Sequence, residues 1–202
     1  MLPLDLALFH AINAGATTAP MVIAAARWVS LDLPLAVGGG LLIYATLGNA
    51  AQRRALAIAL AAMVLAWIAV QCLRQYAPVP RPAQLGVGMQ WLEHGARAGF
   101  PSMHAAAAFA LATAVALARM HRLAMLLGIV AVAMAWSRVS LGVHFPSDVI
   151  AGAVTGAIAA WIVHAQSAFA AGLLSPQTQG VNRRRRFSAY WCRPARPWAR
   201  RR

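Results

Sequence analysis

The chain has 202 residues, 61% of them hydrophobic and 11% charged, a balance too apolar for a water-soluble domain. That length has room for about five or six helical crossings of a membrane and leaves none for a second globular domain. The formal net charge of +14 invites a nucleic-acid reading, but nine of the eighteen basic residues lie at 183–202 and none is lysine, so much of the charge belongs to a tail.

Residues 2–16 are apolar but interrupted by Asp5, His10 and Asn13, which suits a short helix lying in the membrane interface better than a crossing. No basic residue precedes Arg27, so the charged start of a secretory signal peptide is missing, and the apolar segments are expected to stay in the mature protein. A first crossing is placed at 31–47, with an earlier start left open because only Arg27 and Asp32 are charged between 21 and 47. Residues 55–76 form an almost unbroken apolar run ending in Gln71, Arg74 and Gln75, the plainest crossing in the chain. The stretch 77–100 holds Pro78, Pro80, Pro82 and four glycines and must be a loop. Pro101 opens an alanine-rich helix running to Arg119, and 123–141 and 147–169 supply two more crossings.

The expected fold is an all-α, polytopic membrane helix bundle of about five transmembrane helices, with room for six, plus an N-terminal interfacial helix. Residues 1–174 form the membrane domain. Residues 175–202, with Arg183–Arg186 and Arg-Pro pairs among aromatics, read as a basic, disordered tail suited to anionic lipid headgroups rather than to nucleic acid. Arg53 and Arg54 flank one short connection and Arg119 and Arg122 another, so both are expected in the cytoplasm. The tail is then cytoplasmic, and the N-terminus and the loop 77–100 face outward. Cys72 and Cys192 fall on opposite sides, which argues against a disulfide.

Three segments place ionisable groups at the outer ends of apolar helices, where an unpaired charge is costly. They are Arg74 to Arg81-Pro82, then Pro101-Ser102-Met103-His104, then Ser137-Arg138 followed by His144 and Asp148. Taken singly, arginines at helix ends snorkel and a lone histidine is a structural hydrogen-bonder. Together they lie on one face of the membrane, and chance snorkelling would use both. Their chemistry suits phosphoryl transfer, whose spreading negative charge needs fixed positive donors. Arg74, Arg81 and Arg138 offer three guanidinium forks, and Ser102 with the first amides of its helix offers a further anion site. His144 is the expected nucleophile, with Asp148 four residues on to hold its tautomer; His104 is the expected acid and then base. Few carboxylates are at hand for a metal, and neither metal nor cofactor is expected.

At these segments the chain resembles the type 2 phosphatidic acid phosphatase superfamily, which also includes vanadium haloperoxidases. The family pattern is Lys-x6-Arg-Pro, Pro-Ser-Gly-His and Ser-Arg-x5-His-x3-Asp. The third motif is matched throughout; the first has Arg74 in place of lysine and the second Met103 in place of glycine. The resemblance spans 4–169. It implies phosphate binding by Arg74, Arg81, Ser102, the Met103 amide and Arg138, and catalysis by His104, His144 and Asp148. Methionine at 103 adds bulk beside the phosphate.

The small size, Leu-Phe-His-Ala-Ile-Asn at 8–13 and Leu-Glu-His at 92–94 are similar to bacterial undecaprenyl-diphosphate phosphatases. That implies hydrolysis of undecaprenyl diphosphate to the monophosphate through a phosphohistidine, at the periplasmic face of the bacterial cytoplasmic membrane, in recycling of the cell-wall carrier lipid. Phosphatidic acid, phosphatidylglycerol phosphate and lipid A phosphates fit the same motifs. A non-catalytic lipid-phosphate carrier or binding protein is the competing class, and a soluble haloperoxidase-like relative is a third.

Several residues take plainer readings. His94 beside Glu93 is a solvated loop residue with a lesser claim on the headgroup; His10, His121 and His164 are interfacial or packing residues. Gly152 and Gly156 form a helix-packing motif, within one chain or between two. Trp28, Trp91 and Trp136 suit an interfacial belt.

Overall fold

A computed structural model describes residues 3–93 and 98–174, and His94 and the tail 175–202 lie outside the described residues. Two compact units divide the chain, Met1–Ser167 and Ala168–Arg202, and the candidate site lies wholly in the first. The described residues form seven α-helices and no strand: α1 (Pro3–Ile12), α2 (Pro20–Leu31), α3 (Leu33–Leu47), α4 (Ala50–Tyr76), α5 (Met103–Leu117), α6 (His121–Ser140) and α7 (Pro146–Leu174). A 3₁₀ turn, Pro82–Leu85, interrupts the loop between α4 and α5.

Three of these helices are long and apolar enough to cross a membrane, Ala50–Tyr76, His121–Ser140 and Pro146–Ala170. A fourth span arises if α2 and α3 are taken together, bent by 43°. The expected first crossing at 31–47 is therefore the second half of a broken element that begins at Pro20. Pro34, in the first turn of α3, explains the break: it has no N–H to donate, and its ring excludes the carbonyl four residues back. Backbone bonding continues around it, from Asp32 N to the Trp28 carbonyl and from Ala36 N to the Asp32 carbonyl. At 15 residues, α5 rises about 22 Å, less than a hydrocarbon core of about 30 Å.

Helix α4 starts earlier than the apolar run at 55 because Asn49 and Gln52 form a reciprocal cap, each side chain bonding the other's backbone N–H. Its buried face is Ala55, Ala59, Ala62, Ala66 and Val70, a stripe of small side chains at helical spacing. With Ala106, Ala110 and Ala114 of α5 they share one apolar cluster. Small residues let helix backbones approach, so packing comes from contact area rather than expulsion of water. Gly156 shows the limit: a Cβ there would lie 2.1 Å from the Ala106 carbonyl oxygen. The Gly152 and Gly156 pair thus seats α7 on α5 within one chain.

Helix α1 does more than lie flat. Phe9 is fully buried against Phe145, with ring centroids 5.1 Å apart, while Leu4 and Leu8 stay exposed. Trp91 is a packing residue. It is half-buried against Ala26, Leu141 and Val143, and its indole N–H donates to the Ala14 carbonyl.

Candidate active site

The three motif segments meet at the end of the bundle where α4 stops, α5 starts and α6 turns into α7. The turn comes first. Gly142 sits at φ 71°, and a Cβ there would lie 2.2 Å from the Met89 carbonyl oxygen, so the position needs glycine twice over. The amides of Val143 and His144 both donate to the Arg138 carbonyl, at 3.1 and 3.2 Å, which curls the turn back over the end of α6.

His144 is then held between two groups. Its Nδ1 lies 3.3 Å from Asp148 Oδ2, and its Nε2 lies 3.3 Å from the Arg81 guanidinium. The same Asp148 oxygen accepts the Phe145 N–H at 3.0 Å. A carboxylate beside Nδ1 favours the tautomer with the proton there and leaves Nε2 with its lone pair. Because His144 and Asp148 are each 1% exposed, the pair is out of water, where breaking one partner costs far more than it does on a surface.

Arg81, also buried, is fixed by backbone: it donates to the Val143 carbonyl at 3.1 Å and to the Ala98 carbonyl at 3.5 Å. Burial lowers its pKa from the ordinary value, the neighbouring Arg74 lowers it further, and Asp148 opposes both. An arginine stays charged under such pressure. The crowding of Arg74 and Arg81 therefore makes a local excess of positive charge that an anion relieves.

Arg74, at the end of α4, donates to the Pro101 carbonyl at 3.0 Å and so ties the first segment to the second. Ser102 closes the circle, its N–H donating to the Asp148 carbonyl at 2.9 Å. Its hydroxyl is fully buried without a hydrogen-bond partner among the described residues, although Ser102 occupies the N-cap of α5, where serine ordinarily caps the helix. A buried hydroxyl in that position has bonding capacity left for a ligand.

Arg138, 1% exposed, lies within electrostatic reach of Arg81 and donates to the Ser30 hydroxyl at 2.5 Å. Met103 and His104 form the first turn of α5. The Met103 side chain packs against the alanine cluster. His104 is half-buried and lines an apolar cavity beside that turn.

Several residues at this end were not singled out from sequence. Ser30 reaches Arg138 from the broken element. Asp5 of α1 accepts from both the N–H and the hydroxyl of Ser147, at 2.9 and 2.7 Å, one residue before Asp148. Asn13 grips Met89 through its amide, its side chain accepting from Met89 N–H and donating to the Met89 carbonyl, both at 2.9 Å, and to the Ser140 carbonyl at 3.1 Å. Gly99 leaves room for Arg81: a Cβ there would lie 3.0 Å from Arg81 Cγ. The polar interruptions at Asp5 and Asn13 were the available signal, but nothing in their spacing shows what they reach.

Packed guanidiniums, a buried hydroxyl and a carboxylate-backed imidazole are the groups that a phosphate-handling enzyme centre needs. The model of the PAP2 superfamily matches residues 55–171, and the chain belongs to that family. It is a membrane protein and a lipid phosphatase. It is 37% identical over 161 residues to the Escherichia coli (strain K12) protein named "Putative undecaprenyl-diphosphatase YbjG", covering 77% of this chain and 78% of that one. It is 37% identical over 67 residues to the lipid A 4'-phosphatase of Bacteroides thetaiotaomicron, covering 33% and 30% of the two. Among solved structures, Aquifex aeolicus LpxE superposes with a TM-score of 0.66 at 26% identity, over 80% of this chain and 95% of that one. A Bacillus subtilis PAP2-type phosphatidylglycerolphosphate phosphatase shares the fold, with a TM-score of 0.58 at 20% identity over 81% and 84%.

Proposed function

We propose that this phosphatase hydrolyses a polyprenyl diphosphate, undecaprenyl diphosphate in particular, to the monophosphate. The observation that carries the reading is the placement of His144, with Nδ1 on Asp148 and Nε2 facing Arg81. The long match to the E. coli relative supports the choice of substrate.

In this mechanism the terminal phosphate enters among Arg74, Arg81, Arg138, the Ser102 hydroxyl and the amide of Met103. His144 Nε2 attacks phosphorus, the bond to the bridging oxygen breaks, and His104 gives that oxygen its proton. Asp148 holds the Nδ1 proton in place and stabilises the charge on the phosphorylated ring. His104, now neutral, takes a proton from water; the hydroxide attacks phosphorus, the N–P bond breaks and inorganic phosphate leaves. The donors that neutralise the transferring group are guanidiniums fixed by backbone carbonyls, so they need no rearrangement as charge develops.

The site is read as facing the periplasm of a bacterial cytoplasmic membrane. Supporting this, Tyr44 near the end of α3, Gln52 in the first turn of α4, and His121 and Arg122 at the start of α6 border one pocket, so the two arginine-bearing connections lie together at the end of α4 away from the site.

The test is a panel of undecaprenyl diphosphate, phosphatidic acid, phosphatidylglycerol phosphate and a lipid A phosphate, given to purified protein with a chelator present. Phosphate release is expected to be fastest from the diphosphate and to fall about 10³-fold or more in His144→Ala, with that variant still folded. Preference for a glycerolipid or lipid A phosphate would overturn the substrate reading. Activity that vanished with chelation and returned with magnesium would overturn the arginine cage.

A further inference from the structure

The buried residues of α2 are Ala26 and Ser30, four positions apart and so on one face of the helix. Ala26 packs with Leu141 and Val143 in the turn that carries His144. One turn further along, the Ser30 hydroxyl accepts from the Arg138 guanidinium at 2.5 Å, and the two residues are only 2% and 1% exposed. The element bends just past this contact, between Leu31 and Leu33. A serine in an apolar helix ordinarily bonds the carbonyl four residues back, a local use that says nothing of a site. Here its oxygen meets a buried cation 108 positions away.

We propose that Ser30 is a positioning residue for the phosphatase reaction, its hydroxyl setting the plane of the Arg138 guanidinium and so aiming that fork at the phosphoryl group in transfer. The proposal rests on the reading of Arg138 as a phosphate ligand and deepens it. A guanidinium is flat, with its N–H directions fixed relative to one another, but it rides on a long side chain that leaves the plane itself undecided. Holding one N–H decides where the others point. Each arginine of the cage has an oxygen for this purpose: the Pro101 carbonyl for Arg74, the Val143 carbonyl for Arg81 and the Ser30 hydroxyl for Arg138. The third differs in kind, being a side chain from a helix outside the segment 55–171 that matches the family. Loss of the hydroxyl leaves the charge of Arg138 in place and removes its aim. Charge alone still attracts a phosphate, whereas the transition state needs donors already directed at the oxygens where negative charge grows.

Threonine and valine have nearly the same shape and differ by the hydroxyl, so they separate this role from packing. The experiment measures phosphate release by the parent, Ser30→Ala, Ser30→Val and Ser30→Thr on whichever phosphate of the panel is hydrolysed fastest, so a wrong choice of lipid does not touch it. Orthovanadate, which can take the trigonal-bipyramidal shape of a phosphoryl group in transfer, and inorganic phosphate, the product, are scored as inhibitors. In Ser30→Ala, kcat is expected to fall about ten-fold with KM changed less than about two-fold. Inhibition by vanadate is expected to weaken about ten-fold and that by phosphate less than about two-fold. Ser30→Thr is expected to recover most of the loss seen in Ser30→Val. Equal losses in those two variants, or equal weakening of both inhibitors, overturn the proposal. So does a lower Tm with parent-like kcat, the sign of a hydroxyl that only satisfies a buried cation.

A cycle with Arg138→Lys separates this failure from failure of the reading beneath it. An ammonium has no plane to set, so Ser30→Ala is expected to cost less than about two-fold in the Arg138→Lys background, and a full ten-fold further loss there overturns the proposal. An impaired Arg138→Lys beside a parent-like Ser30→Ala overturns the positioning role alone. Parent-like kcat/KM in Arg138→Lys removes Arg138 from the phosphate and overturns both.

Discussion

Asp148 serves three neighbours at once: its side chain meets the His144 ring and the Phe145 N–H, and its carbonyl accepts from Ser102. Asp148→Asn keeps the volume but can offer an N–H to Nδ1, which would move the ring proton to Nε2 and remove the nucleophilic lone pair. The expected result is a fall in kcat of about 10³-fold or more with KM little changed, read from steady-state phosphate release. Arg81 is a different case, because its guanidinium spans the Val143 and Ala98 carbonyls while facing His144. A lysine keeps one charge but cannot fork, so Arg81→Lys is expected to lower kcat/KM about 10- to 100-fold, with most of the loss in kcat. Equal activity would show that this guanidinium holds the loop rather than the phosphate.

Helix α1 lies outside the segment that matches the family model, yet it is bonded to the ends of the elements that carry the site. Asp5 holds the first turn of α7, Phe9 packs on Phe145, and Asn13 ties the loop at Met89 to the end of α6 at Ser140. Losing the Asn13 side chain leaves the Met89 backbone groups without their partner. Asn13→Ala is therefore expected to destabilise the protein by about 1–3 kcal/mol, seen as a lower Tm in detergent, and to weaken turnover because the loop that carries Arg81 loosens. A parent-like Tm would show that α1 is not a clamp.

The orientation of the chain gives a test that needs no substrate. Cys192 lies in the arginine-rich tail and Cys72 is exposed on α4. In a Cys72→Ser background, a membrane-impermeant maleimide is expected to label Cys192 only after cells are permeabilised. Labelling of intact cells would invert the topology and put the site on the cytoplasmic face.

The eight candidate site residues were legible in the chain because the chemistry itself demands particular side chains at particular spacings. A histidine and an aspartate four apart, as at 144 and 148, face each other across one turn, and a proline-serine pair can open a helix whose amides meet an anion. The all-helical class was legible for the same local reason, since a long apolar run has few other stable states in a membrane, whereas about five crossings were expected and the described residues hold three helices of spanning length, or four with the bent pair. Ends were less so: Pro34 breaks the first element where the apolar run continues, and the Asn49 cap starts α4 before its apolar stretch does.

What composition and local pattern determined, then, was the helical class, the phosphatase family and a set of candidate residues for its chemistry. Tertiary structure alone decided which groups such residues meet: Arg138 on Ser30, Asp5 on Ser147, Asn13 on Met89, and His104 in the lining of an apolar cavity. The reason is physical. Periodicity and capping act over a turn or two of chain, whereas these contacts join residues up to 142 positions apart and exist only once the helices have packed.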